Sequence, residues 1–169
     1  MAGKKIYTVI ALLLLMILYL MIFYFSSEDA DRSSDITTRV TKALLQFYYK
    51  IKGGSGNQQI AGYTVSSAEG FIRKLAHFTE YACVGFLSYS IVVVWFGTIW
   101  KGRFWVIVQL LLSAAADELH QYFVPGRNAA VKDVLIDTAG GIAGMLVILA
   151  GALLWRLFVR GLRAKKNNT

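Results

Sequence analysis

The segment FWVIVQLLLSAAADELHQYFV, residues 104–124, decides how this chain is read. Its first two-thirds are almost wholly apolar, and then Asp117, Glu118, His120 and Gln121 arrive together. A helix starting at Phe104 carries Asp117 about 21 Å along its axis at 1.5 Å per residue. Against a hydrocarbon layer of about 30 Å, that depth lies in the outer third of a bilayer. A charge there costs about 2.5–3.5 kcal/mol, so such groups face one another or a wet cavity and mark a working site.

Working outward, three further runs are close to the roughly 20 apolar residues that a crossing needs: Ile6–Phe25, Tyr81–Trp100 and Val134–Phe158. With 56% hydrophobic and 17% charged residues among 169, the composition agrees. The expected fold is an all-α membrane protein of one domain over residues 1–169, with four transmembrane helices at 6–25, 81–100, 104–124 and 134–158. Lys101-Gly102-Arg103 is the expected tight turn between the second and third crossings. The first run is longer than a 7–15-residue signal core and has no Ala-x-Ala-like site after it, so it reads as a retained anchor. The single cysteine, Cys83, excludes an internal disulfide and reads as a small buried packing residue.

Basic residues set the expected orientation. With both termini inside, Lys4, Lys5, Lys101, Arg103 and the run from Arg156 to Lys166 crowd into short inner segments. The outer basic residues are as many, but most lie in one long loop, and the positive-inside bias is read from short loops. All ten acids then fall outside. The expected location is the cell membrane with cytoplasmic N- and C-termini. The net charge of +8 is a collar facing anionic lipid. No nucleic-acid partner is expected, because no soluble basic domain exists to carry one.

The outer loop, residues 26–66, contains an expected extracytoplasmic amphipathic helix at 35–52, where Ile36, Val40, Ala43, Leu44, Phe47 and Ile51 recur at spacings of three and four. Ser34 or Asp35 would cap it, and it would lie on the outer leaflet or cover the bundle. Gly53-Gly54-Ser55-Gly56-Asn57 reads as a hinge. Ser66-x-x-Glu69 matches a capping box that starts an outer extension, residues 67–80, of the second crossing.

Three polar clusters then converge on one leaflet. Arg73, His77, Glu80 and Tyr81 share one helical face with Lys74 beside it, and Ser113, Asp117, His120 and Gln121 share another. Asp133 and Asp137 line up above Gly140-x-x-x-Gly144, a spacing that lets helices approach closely in lipid. Three readings fit these groups. In the first, Arg73, Lys74 and Arg127 pair with Asp117, Glu118, Asp133 and Asp137 only to fix helix register. In the second, an outward pocket binds a phosphate or carboxylate headgroup through Arg73, Lys74, Gln121, Arg127 and Asp133. His77, Glu80, Asp117, Glu118, His120 and Asp137 would then be the candidates for moving a proton. In the third, His77-x-x-Glu80 and Asp117-x-x-His120 hold a metal as helix-bundle sites do. The neighbouring basic residues count against a metal, and the favoured reading assigns neither metal nor cofactor.

Taken in order, Phe25-Ser26-Ser27, Arg73-Lys74-x-x-His77-x-x-Glu80-Tyr81, Asp117-Glu118-x-His120-Gln121 with Pro125-Gly126-Arg127, and Asp133-x-x-x-Asp137-x-x-Gly140 with Gly144 resemble the VanZ-like family. That family of membrane proteins is named for an accessory protein of resistance to the glycopeptide teicoplanin. The resemblance implies a multi-pass membrane protein linked to lower teicoplanin susceptibility; the expected partners, from the polar pocket, are the lipid bilayer and a cell-envelope lipid or peptidoglycan precursor. The resemblance implies no settled reaction.

Overall fold

A computed structural model describes residues 1–28, 30–51 and 62–167, with the side chains of residues 30–34, 36, 49, 62–67 and 164–167 outside that description. The described residues form five helices and no strand: α1 (Ala2–Ser26), α2 (Ala30–Ile51), α3 (Gly62–Phe96), α4 (Trp100–Tyr122) and α5 (Val131–Asn167). Three of them contain stretches long and apolar enough to cross a membrane, Ala2–Ser26, Ala68–Phe96 and Val131–Arg163. The fourth expected crossing, α4, has 23 residues but is not among these three. Its acids, His120 and Gln121 dilute the apolar run at one end.

Helix α3 is the hub, packing on every other helix, and its contact with α5 is the most extensive. Small residues explain that closeness. A Cβ at Gly140 would overlap the main-chain carbonyl of Phe78, one at Gly144 that of Ala82, and one at Gly85 that of Gly141. Dispersion between backbones at this range, unavailable to larger residues, is what associates helices where no water drives them together. Beside this seam Tyr81, Val84, Tyr89, Leu110 and Ala114 are fully covered. Between helices, Tyr7 donates to Ser90 Oγ (2.6 Å), Trp95 Nε1 donates to Thr8 Oγ1 (2.8 Å), and Gln109 donates to the Tyr19 hydroxyl.

The outside is apolar. In α1 only Ala11, Leu15, Ile22 and Ser26 are buried, leaving Leu13, Met16, Leu20 and Phe23 uncovered, as are Leu146, Leu153 and Phe158 of α5. In water so large an apolar surface would drive aggregation. In lipid it is the expected surface of helices whose backbones are satisfied internally. Cys83 belongs to this surface and is exposed, contrary to its expected burial.

Several boundaries differ from expectation for local reasons. Helix α3 ends at Phe96 rather than Trp100, because Gly97 adopts φ 73° and donates its N–H to Val93 O at 3.0 Å, a left-handed cap that glycine makes at no steric cost. The turn is therefore Gly97-Thr98-Ile99, and Lys101-Gly102-Arg103 lies within the first turn of α4. Helix α3 also begins at Gly62, so Ser66 sits inside it and not at a cap. Glu69 instead accepts a hydrogen bond from Thr38 of α2. Helix α2 begins at Ala30, ahead of both Ser34 and Asp35. Its Thr37 and Thr41 are buried, whereas Val40, Leu44, Phe47 and Ile51 stay uncovered. The amphipathic pattern is present, but its apolar stripe is not spent on the bundle. The expected hinge at 53–57 lies outside the described residues.

Candidate functional site

The polar clusters meet where α3, α4 and α5 converge beside the end of α1. On α3, the seam with α5 turns Arg73, His77 and Glu80 inward, and His77 Nδ1 lies 3.9 Å from Glu80 Oε2. On α4, Asp117, Glu118 and Gln121 are all buried. On α5, Asp137 is only 3% exposed. One ligand-type atom from each of His77, Asp117 and Asp137 lies within 4.8 Å of the other two. Tyr81, four residues after His77 in α3, is fully buried.

Two cavities flank this centre. One of about 200 Å³ lies towards α1 and α2 and is lined by residues including Phe25, Glu28, Thr37, Arg73, His77, Glu80 and Arg127. The other, of about 150 Å³, is lined by residues including Arg73, Lys74, His77, Glu118, Gln121, Asp133 and Asp137. Arg73 and His77 belong to both. Each cavity sets cationic and anionic side chains into a largely apolar wall, so a polar group of either sign finds a partner there.

Much of the polar inventory has structural work. Lys74 pairs with Asp133. Glu118 Oε1 accepts from Ala130 N at 2.6 Å, satisfying a main-chain donor just before α5 begins. Gln121 donates to Asp117 Oδ2 at 3.0 Å and, more weakly, to Ser26 Oγ at 3.4 Å. Arg127 donates to Phe25 O (2.8 Å), Glu28 O (3.0 Å) and Gln121 Oε1 (3.1 Å). It thereby satisfies carbonyls that the end of α1 leaves without helical partners. Burial, with Arg73 beside it, holds its guanidinium below the ordinary value, and it remains a cation throughout the accessible pH range.

Of the ion pairs expected among these groups, the Lys74–Asp133 pair is formed, whereas Arg127 turns to main-chain carbonyls. His120 also departs from the expected face shared with Asp117. It stacks on Phe23 with ring centroids 4.5 Å apart, and its Nε2 lies 2.9 Å from Ser27 Oγ. One residue's offset from the Asp117–Gln121 row is enough to aim it at α1. Residues 26–28 begin the expected outer loop, yet Ser26 and Glu28 are buried and Glu28 lines a cavity. The only sequence signal for this was the Phe25-Ser26-Ser27 motif.

Residues 10–157 match the family model described as VanZ/LLP1. No curated protein and no solved structure gives a significant match to the chain.

Proposed function

Since this chain belongs to the VanZ/LLP1 family, we propose that it is a four-span protein of the cell membrane whose outward-facing polar pocket binds the headgroup of a cell-envelope lipid or peptidoglycan precursor, and so lowers susceptibility to teicoplanin. The observation that carries this reading is the pair of cavities sharing Arg73 and His77. A headgroup phosphate fits the bidentate geometry of Arg73, with Lys74 as a nearby point charge. In this reading α4 is the fourth crossing: its 23 residues extend about 34 Å, matching the hydrocarbon layer. Both termini lie in the cytoplasm, beside the basic residues of α4's first turn and α5's last turns. The uncovered stripe of α2 rests on the outer leaflet and places that helix over the first cavity. Teicoplanin loses potency because its lipid tail or its target is less available at the membrane surface.

The test replaces Arg73 and Lys74 by Gln, singly, and measures teicoplanin susceptibility together with the amount of protein in the membrane. Loss of protection at normal abundance is the expected result. Protection retained at normal abundance rejects the pocket. A second reading, that the polar groups serve packing alone, is favoured by the main-chain contacts of Glu118 and Arg127. Under it, protection falls only in proportion to abundance.

A further inference from the structure

We infer that His77 of α3, Asp117 of α4 and Asp137 of α5 form a binding site for a first-row divalent transition cation, Zn²⁺ or Mn²⁺. The three come from separate helices, and their ligand-type atoms all lie within 4.8 Å of one another. Metal–ligand lengths of about 2.0–2.2 Å place such atoms roughly 3–4 Å apart, within reach of small side-chain rotations. The site is distinct from the helical pairs His77/Glu80 and Asp117/His120 that the sequence suggests. His120 is committed to Phe23 and Ser27, and its place is taken by Asp137.

A second observation points to a ligand. Asp137 is 97% buried on a 3% exposure, lines the cavity of about 150 Å³, and among the described residues has no hydrogen bond or ion pair to its carboxylate. His77 Nδ1 is buried without a hydrogen bond, with Glu80 Oε2 3.9 Å away. Buried carboxylates are ordinarily paired or coordinate metals. Of the three neighbouring basic groups, Lys74 is drawn to Asp133 and Arg127 to the carbonyls of Phe25 and Glu28, while Arg73 lines the same cavity as His77 and Asp137.

The donor set selects the ion. One imidazole with two carboxylates suits zinc or manganese, whereas magnesium and calcium favour all-oxygen shells. Three protein ligands leave positions open, as in catalytic rather than closed structural sites. His77 and Asp137 line the cavity of about 150 Å³, from which water or an anionic oxygen would complete the shell. Gln121, donating to Asp117 Oδ2, orients that carboxylate from the second layer. Cation binding is independent of the headgroup reading: either stands if the other fails.

The experiment uses the full chain, purified in detergent with a tag free of histidine and dialysed against chelator-buffered Zn²⁺, followed by elemental analysis. The expected result is about one ion per chain. His77→Ala, Asp117→Asn and Asp137→Asn should each weaken binding by more than the roughly 10–100-fold that loss of an outer partner causes. His120→Ala and Cys83→Ser should retain the ion. Zn²⁺ should also raise the thermal midpoint of the parent protein but not of Asp137→Asn. Metal-free Asp137→Asn should be no less stable than the metal-free parent, because it removes an unpaired buried charge; this keeps the test valid if Asp117→Asn fails to fold. An unmetallated parent with no Zn²⁺-dependent midpoint overturns the inference, and so does loss of the ion in His120→Ala with retention in His77→Ala.

Discussion

Gly140 of α5 lies directly against the main-chain carbonyl of Phe78 in α3, with no room for a Cβ between them. Gly144 repeats the relationship one turn on, against Ala82. This contact presents Asp137, one turn before Gly140, to His77, one residue before Phe78. Close packing thus builds the site as well as the fold.

Gly140→Ala and Gly144→Ala should each destabilise the protein by about 1–3 kcal/mol, because the atom that must move is backbone and cannot rotate away. Thermal unfolding in detergent measures this. Gly151→Ala, with open space at its Cβ, should be neutral or slightly stabilising. Equal behaviour of the two classes would mean that the helices are farther apart than described.

Glu118 joins α4 to the start of α5 by accepting the Ala130 N–H. Glu118→Ala should cost about 1–3 kcal/mol through the unsatisfied donor, while Glu118→Gln, which keeps an acceptor oxygen, should cost less. The ranking Glu, Gln, Ala in thermal midpoint is the readout. An Ala variant as stable as the parent would show that water replaces the carboxylate.

Arg127 ties Phe25 at the end of α1 and Glu28 just beyond it to Gln121 of α4 through three acceptors. Arg127→Lys should not restore Arg127→Ala, since an ammonium cannot reproduce the planar fork that spans these positions. Both should lose about 1.5–3 kcal/mol and should increase protease cleavage between α1 and α2. Full stability in the Lys variant would reduce Arg127 to a point charge.

His120 contributes through ring stacking on Phe23 and one contact to Ser27. His120→Phe keeps the stacking and should lie within about 1 kcal/mol of the parent, while His120→Ala should lose about 0.5–1.5 kcal/mol more. Under the proposed function, teicoplanin susceptibility should follow stability alone in both. A loss of protection in a fully stable His120→Phe would return this imidazole to the functional group.

Amino-acid order alone determined that the chain is helical and built for a membrane, because long apolar runs and the cost of charge in hydrocarbon leave few alternatives. It also determined that Arg73, His77, Asp117 and Asp137 sit near one another, since each cluster falls at a matching depth along its helix, and that Gly140 and Gly144 permit close approach. Helix ends were less legible: Gly97 and Gly102 look alike in sequence, and the φ of 73° at Gly97 distinguishes the cap from a packed glycine. Which polar groups face the cavity and which are used up was decided by tertiary structure. His120 and Arg127 carry the same chemistry in the sequence as their neighbours, but packing turns both towards the end of α1, Arg127 while it still lines the larger of the two cavities. Helical periodicity assigns a residue to a face of its own helix. Only packing assigns that face to a partner, because the rotation of each helix is set by the shapes of all the helices it touches.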